Sequence, residues 1–177
     1  CSQAHGAKYK NKFVGSFGDL STWSFCRDKI ISTGGEGGMI ATNNKKYRDK
    51  IWSIKDHGKS RDKFFLKRKL NFKFQYIHNN FGSNYRLTEI QSALGRIQLH
   101  NLKKRVASRN INAKIIDNQI KKLDFVRINI PKKNILHSYY KYYFFIDENF
   151  LKKFENKDKI ISDIRSYNIP CTTGGCS

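Results

Sequence analysis

The sequence predicts an α/β fold, and three observations carry that prediction. An aromatic, β-prone run, Thr22-Trp23-Ser24-Phe25, is followed by the β-branched segment Ile30-Ile31-Ser32-Thr33 and by a turn with four glycines in five residues, Gly34, Gly35, Gly37 and Gly38. A second strand-like run starts at Met39 and reaches Thr42. Further on, Thr88 and Gln91 stand at capping-box spacing in front of apolar residues at helical intervals, Ile90, Leu94 and Ile97. Strands are therefore expected near 20–25, 30–33 and 38–42, with helices behind them.

The remaining elements follow in chain order. Gly6 to Phe13, with Lys8, Lys10 and Lys12, reads as a loop or short hairpin. Gly15 and Gly18 bracket Phe17 and suggest a tight passage into the strand at Leu20–Phe25. Asn43 or Asn44 can cap a helix from Lys45 to about Lys55, where Tyr47, Ile51 and Ile54 share a face. Gly58 is placed to stop it. Residues 59–83 are the least regular part, and Phe64, Phe65, Phe72, Phe74 and Tyr76 alternate there with basic residues. Such a loop suits packing on a neighbouring surface, such as a second subunit; stacking on bases is the alternative. A helix or helix pair is expected over about 88–121, with Gly95 a weak point or a site of close packing. Phe125–Ile130 reads as a strand ended by Pro131. His137–Ile146 is strongly β-prone, and residues 158–167 suit a short helix.

Composition bounds the function more loosely. The 177 residues include 35 Lys and Arg against 14 Asp and Glu, a net charge of +21. That balance fits a polyanionic partner. Yet the basic residues are scattered among many Asn and Ile, with no block of consecutive like charges, so an AT-rich genome accounts for the charge without a function. Attraction of phosphorylated ligands and non-specific nucleic-acid binding remain the functional alternatives. Cys1, Cys26, Cys171 and Cys176 make no C-x-x-C pair, and the five histidines make no H-E-x-x-H, so neither a disulfide scaffold nor a zinc site is expected. No apolar run approaches the ~20 residues that span a bilayer. A reducing cytoplasm is the default. Both ends look cut, and the chain reads as part of a longer polypeptide.

Lys29 is the candidate nucleophile. It lies between two β-prone runs, where partial burial would strip hydration from its ammonium and lower its pKa. A neutral amine can form a Schiff base with a carbonyl. Ser24, five residues earlier, offers a hydroxyl to a phosphate. Judged alone, Lys29 reads as a surface lysine beside a glycine hairpin.

The surrounding words go further. Ser24-Phe25-x-x-x-Lys29 with Thr33-Gly34-Gly35-Glu36-Gly37-Gly38-Met39 closely resembles the lysine segment of the DegT/StrS family of nucleotide-sugar aminotransferases. Gln3-Ala4-His5-Gly6-Ala7, Val14-Gly15-Ser16-Phe17-Gly18-Asp19, Asp56-His57-Gly58 and Asn84-Tyr85-Arg86-Leu87-Thr88-Glu89-Ile90-Gln91 match the same family in order and spacing. The resemblance covers most of residues 1 to about 105 and thins afterwards.

It implies a fold-type I transferase that depends on pyridoxal 5'-phosphate, of about twice this length. Residues 1–105 would be the C-terminal half of its cofactor-binding large α/β domain, and 106–177 a partial small α+β domain. Lys29 would carry the cofactor as a Schiff base and shuttle protons, Ser24 would bind its phosphate, and Gln3 would sit near its ring and phenolic oxygen. Asn84 would reach the phosphate held by the partner subunit of a homodimer with shared active sites. The carboxylate that pairs with the pyridine nitrogen would fall just before Cys1. A related sugar dehydratase carries histidine in place of the lysine, so Lys29 argues for transamination, with glutamate as the expected amino donor and a nucleotide-linked keto sugar as acceptor in polysaccharide biosynthesis. Neither a membrane nor a specific nucleic-acid partner is expected. The competing readings are a basic nucleic-acid-binding module and a non-catalytic fragment of the same family.

Overall fold

The computed structural model describes residues 1–65, 78–153 and 157–174. The chain opens with a hairpin, β1 (Lys8–Tyr9) and β2 (Lys12–Phe13), joined by Lys10 and Asn11 at φ of 46° and 65°. Two left-handed residues in a two-residue loop match the right-handed twist of the flanking strands. β3 (Ser21–Ser24) pairs antiparallel with β4 (Gly38–Ala41), so Trp23 faces Met39 in register and Ser24 faces Gly38.

Residues 30–33, expected as a strand, are not one. They form a bend in which Ile30, Ile31 and Thr33 are 2%, 4% and 1% exposed. The Thr33 amide donates to the Phe25 carbonyl at 3.2 Å, and the Lys29 amide closes a turn onto the Cys26 carbonyl at 3.0 Å. β-branched residues were chosen here by burial rather than by a ladder.

α1 (Lys45–Lys55) starts at Asn44, whose side chain accepts from the amides of Lys46 and Tyr47. It stops at Asp56, and Gly58 adopts φ +74° two residues on. A short α2 (Arg61–Phe65) occupies part of the stretch expected to be loop, and Phe64 and Phe65 pack edge to face beside Trp52. Phe72, Phe74 and Tyr76 lie outside the described residues.

α3 (Glu89–His100) opens on the expected capping box, with Thr88 and Gln91 bonded reciprocally. α4 (Leu102–Ile120) follows after a break at Asn101, not at Gly95. Gly95 is the close-packing site: a Cβ there would lie 3.1 Å from the Thr33 methyl. The position near 105, where motif density drops, falls within α4.

β5 (Val126–Ile128) pairs with β7 (Phe144–Ile146), and β6 (Ile135–Leu136) joins the first hairpin in the order β2-β1-β6. The aromatic run at 137–146 is strand only at its end. From His137 to Tyr143 the backbone is irregular, and side chains of α4 meet its carbonyls. Arg109 donates to those of Tyr139 and Tyr140, and Asn110 to that of His137. Tyr139 takes φ 46°, which no regular strand allows. α5 (Glu148–Leu151) and α6 (Lys157–Ser166) complete the chain.

The core is thin. Val106 and Ala113 of α4 are buried, while Ile90, Ile97, Ile111 and Ile115 are more than half exposed. Exposed apolar faces of this extent are uncommon on a monomer's free surface and mark sites of interaction. Among the described residues no helix is long and apolar enough to cross a membrane.

Candidate active site

The β3–β4 pair and the loop between them display Lys29. The Phe25 amide donates to the Gly37 carbonyl at 2.7 Å, and Cys26 forms a parallel bridge with Gly35, so the loop is closed at its neck. Glycine is required there: a Cβ on Gly37 would lie 2.5 Å from the Thr33 hydroxyl oxygen, and Gly34 adopts φ +83°. Ile30 and Ile31 anchor the floor. Gln91, at the start of α3, donates to the Glu36 carbonyl at 2.8 Å and ties the glycine turn to the helix. Glu36 is thus a structural residue of the turn, and its carboxylate accepts from the Cys26 thiol.

Lys29 emerges from this frame with its side chain 11% exposed. Its Nζ donates to the Tyr140 hydroxyl at 3.1 Å, lies 3.4 Å from a carboxylate oxygen of Asp28, and sits 4.7 Å from the centre of the Tyr140 ring. Tyr140 in turn donates its phenolic proton to Asp28. The lowered lysine pKa expected from burial is not what the structure has. The Tyr140 hydrogen bond outweighs desolvation and, with Asp28, raises the Lys29 pKa above its ordinary value. The same phenol, ahead of the lysine, draws the Asp28 carboxyl down to about 2.

The other residues expected at the site stand as follows. Ser24 ends β3, and its hydroxyl oxygen accepts from the Cys26 amide at 3.4 Å. Gln3 is exposed, and its carbonyl accepts from Ser138. Asn84 is exposed and held by a backbone bridge to Asp56, with its side-chain oxygen accepting from the Arg86 amide. Among the described residues no hydrogen bond joins Lys29 to Ser24, Gln3 or Asn84. Asp28 and Tyr140 are the two neighbours that the sequence left unmarked. Asp28 is next to the lysine, a position where any polar residue would read as solvated. Tyr140 is one of six aromatics in a β-prone run 111 residues away, and nothing local singles it out.

His5 packs beneath the same strand at 2% exposure, 5.3 Å from the Trp23 ring centre and 6.0 Å from that of Phe25. Neither ring nitrogen makes a well-formed hydrogen bond among the described residues, and burial lowers its pKa against a smaller opposing pull from the Ser24 backbone. A second charged centre lies at the end of α1. Buried Asp56 takes Arg86 at 2.7 Å, Lys59 at 3.2 Å and Lys55 at 3.9 Å. Burial alone would raise its carboxyl, but the Lys59 hydrogen bond and the three positive charges hold it below the usual range.

Comparison with known proteins gives a consistent picture. The family model for the DegT/DnrJ/EryC1/StrS aminotransferase family matches residues 1–173. GDP-perosamine synthase of Escherichia coli O157:H7 is 37% identical over 140 residues, 79% of this chain and 35% of its own length. A UDP-4-amino-4,6-dideoxy-N-acetyl-beta-L-altrosamine transaminase of Campylobacter jejuni is 34% identical, over 78% of this chain and 35% of its own length. Among solved structures, an aminotransferase from Psychrobacter cryohalolentis superposes with a TM-score of 0.86 at 38% identity, covering 98% of this chain and 46% of that one. Helicobacter pylori PseC, described as an aminotransferase of pseudoaminic acid biosynthesis, superposes at 0.81 with 28% identity, over 96% of this chain and 42% of that one. The chain thus spans about a third of the length of these two curated relatives. The superpositions bear out the expected fold, part of a fold-type I transferase.

Proposed function

Because the chain belongs to the DegT/DnrJ/EryC1/StrS aminotransferase family, we propose that the complete polypeptide moves an amino group, from glutamate, onto a nucleotide-linked keto sugar. The single observation that carries this reading is the placement of Lys29, an amine nearly closed off from solvent at the mouth of a glycine-necked loop. The GDP- and UDP-linked names of two relatives support the class of acceptor.

The family's cofactor is pyridoxal 5'-phosphate. The residues present fit it in donor chemistry. Lys29 supplies the amine that holds a carbonyl. The Ser24 hydroxyl accepts one hydrogen bond and donates none among the described residues, which leaves its proton for a phosphate oxygen. Gln3 and Asn84 add exposed amides to the set. When bound, the cofactor supplies an electron sink for the bonds at the reacting carbon. The protein's part is to hold it through Lys29, Ser24, Gln3 and Asn84 and to move a proton at Lys29 Nζ. Residues 1–105 then serve as the C-terminal half of the large domain and 106–177 as a partial small one, with α4 the helix that links them. The exposed faces of α3 and α4 suit a homodimer with shared sites, working in the cytoplasm, with neither a membrane nor a specific nucleic-acid partner.

The test is chemical. Borohydride reduction of the complete polypeptide with pyridoxal phosphate should fix one cofactor on Lys29. Lys29→Ala should lose the fixation and nearly all transamination. Lys29→Arg should lose them too, because a guanidinium keeps its proton. Normal turnover in Lys29→Ala would overturn the assignment.

A further inference from the structure

Tyr140 is held more firmly than its place in an irregular segment suggests. It is 9% exposed. Its backbone carbonyl and that of Tyr139 accept from the Arg109 guanidinium at 3.4 and 2.7 Å, which pins the segment to α4. Ser138, 2% exposed, donates to the Gln3 carbonyl at 3.5 Å and fixes the same segment to the N-terminal turn. The left-handed backbone of Tyr139 turns the chain between these two anchors. The phenol that results is a fixed post, and Lys29, on the opposite element, reaches it.

We propose that Tyr140 is a positioning residue for Lys29: with Asp28 it forms a catch that fixes Nζ and masks the amine until an incoming carbonyl ligand displaces the phenol. The proposal rests on the reading of Lys29 as the amine that carries the cofactor. The catch is a closed set of three hydrogen bonds, Lys29 Nζ to Tyr140 Oη, Tyr140 Oη to an Asp28 carboxylate oxygen, and Lys29 Nζ directly to Asp28 at 3.5 Å, with the ring face of Tyr140 turned to the ammonium. The other groups near this centre do not substitute for it. His5 is buried, and burial disfavours its charged form. Cys26 faces Glu36. Arg105 donates to the Ile30 carbonyl and Arg109 to those of residues 139 and 140, and both are cations that repel an ammonium. The phenol and the Asp28 carboxylate therefore favour the charged form of Lys29, which agrees with its raised pKa. Release of the catch accompanies loss of a proton from Nζ to solvent water, because only the neutral amine attacks a carbonyl, and the carbonyl oxygen leaves as water when the imine forms.

The test needs no turnover. The complete polypeptide, stripped of cofactor, is labelled with acetic anhydride across a pH series, and the rate at each lysine is read by mass spectrometry. Tyr140→Phe keeps the ring and removes the post, so the labelling midpoint of Lys29 should move down by about one pH unit, a rate rise of about tenfold at any pH below it. Asp28→Asn, on an exposed turn, should shift it the same way by less. Lys59, paired with Asp56, is the internal standard and should not move. If Tyr140→Phe fails to fold, Asp28→Asn decides alone. Wild-type labelling profiles at Lys29 in the folded variants would overturn the proposal. Borohydride mapping in the same samples separates the two readings. Cofactor fixed on another lysine would overturn the assignment beneath the proposal, whereas cofactor on Lys29 with unshifted labelling would overturn the catch alone.

Discussion

The Lys29 centre and the Asp56 centre both join lysine to aspartate, the first in the turn that follows β3 and the second at the end of α1, and they are built in opposite ways. At Asp56 a buried carboxylate gathers three cations from residues 55, 59 and 86, two of them on more than a third exposed side chains. At Lys29 a nearly enclosed cation faces one half-exposed carboxylate and one phenol, the latter drawn from 111 residues away. The first arrangement has surplus charge, and two of its three cations, Lys55 and Lys59, are close sequence neighbours, so it can lose one partner and remain paired. The second has a single buried partner and depends on the whole chain to deliver it. A centre of the first kind braces a turn; a centre of the second kind can be opened by a ligand.

The sharpest way to break this comparison is to remove the floor of the Lys29 loop. Ile30→Ala empties a site 2% exposed and should cost about 2–5 kcal/mol in denaturant unfolding of the complete polypeptide. A loss below about 1 kcal/mol would mean that the loop is not anchored by its isoleucines.

Asp56→Ala should cost less, about 1–3 kcal/mol, since the lost pairings are offset by hydration of cations that are partly exposed already. The same carboxylate gives a pH signature. Its folded pKa lies below the unfolded value, so its contribution is full above the ordinary carboxylate pKa of ~3.9 and fades as pH falls through the lower folded value. In Asp56→Asn that part of the acid-side loss of stability should vanish; an unchanged acid profile would remove Asp56 from the list of bracing charges.

The smallest effect separates surplus from necessity. Arg86→Ala leaves Lys59 and Lys55 on Asp56 and should cost at most about 1 kcal/mol, because the Arg86 side chain is 44% exposed. A loss as large as that of Asp56→Ala would show that Arg86 is the essential partner and that the centre has no surplus.

Local chemistry accounts for much of what the sequence determined by itself. Asn44 caps α1 and Thr88 with Gln91 opens α3, since capping needs only residues within one turn. The first hairpin and the strands β3 and β4 were legible for the same reason, though not that β3 pairs directly with β4, and so was the family, whose motifs are short words in fixed order. Two β-prone stretches were misread. Residues 30–33 are β-branched because they are buried, and residues 137–143 give their carbonyls to α4 side chains instead of a ladder, yet both have the composition of strands. Composition reports burial and pairing alike, and only the neighbours tell them apart. Lys29 was visible as a candidate, but the direction of its pKa was not. Proximity to a glycine turn foretold desolvation, whereas the Tyr140 phenol that reverses the outcome arrives through the packing of α4 against a distant segment. What a residue is could be read along the chain; what faces it was decided by the fold, because electrostatic partners act through space and not through sequence.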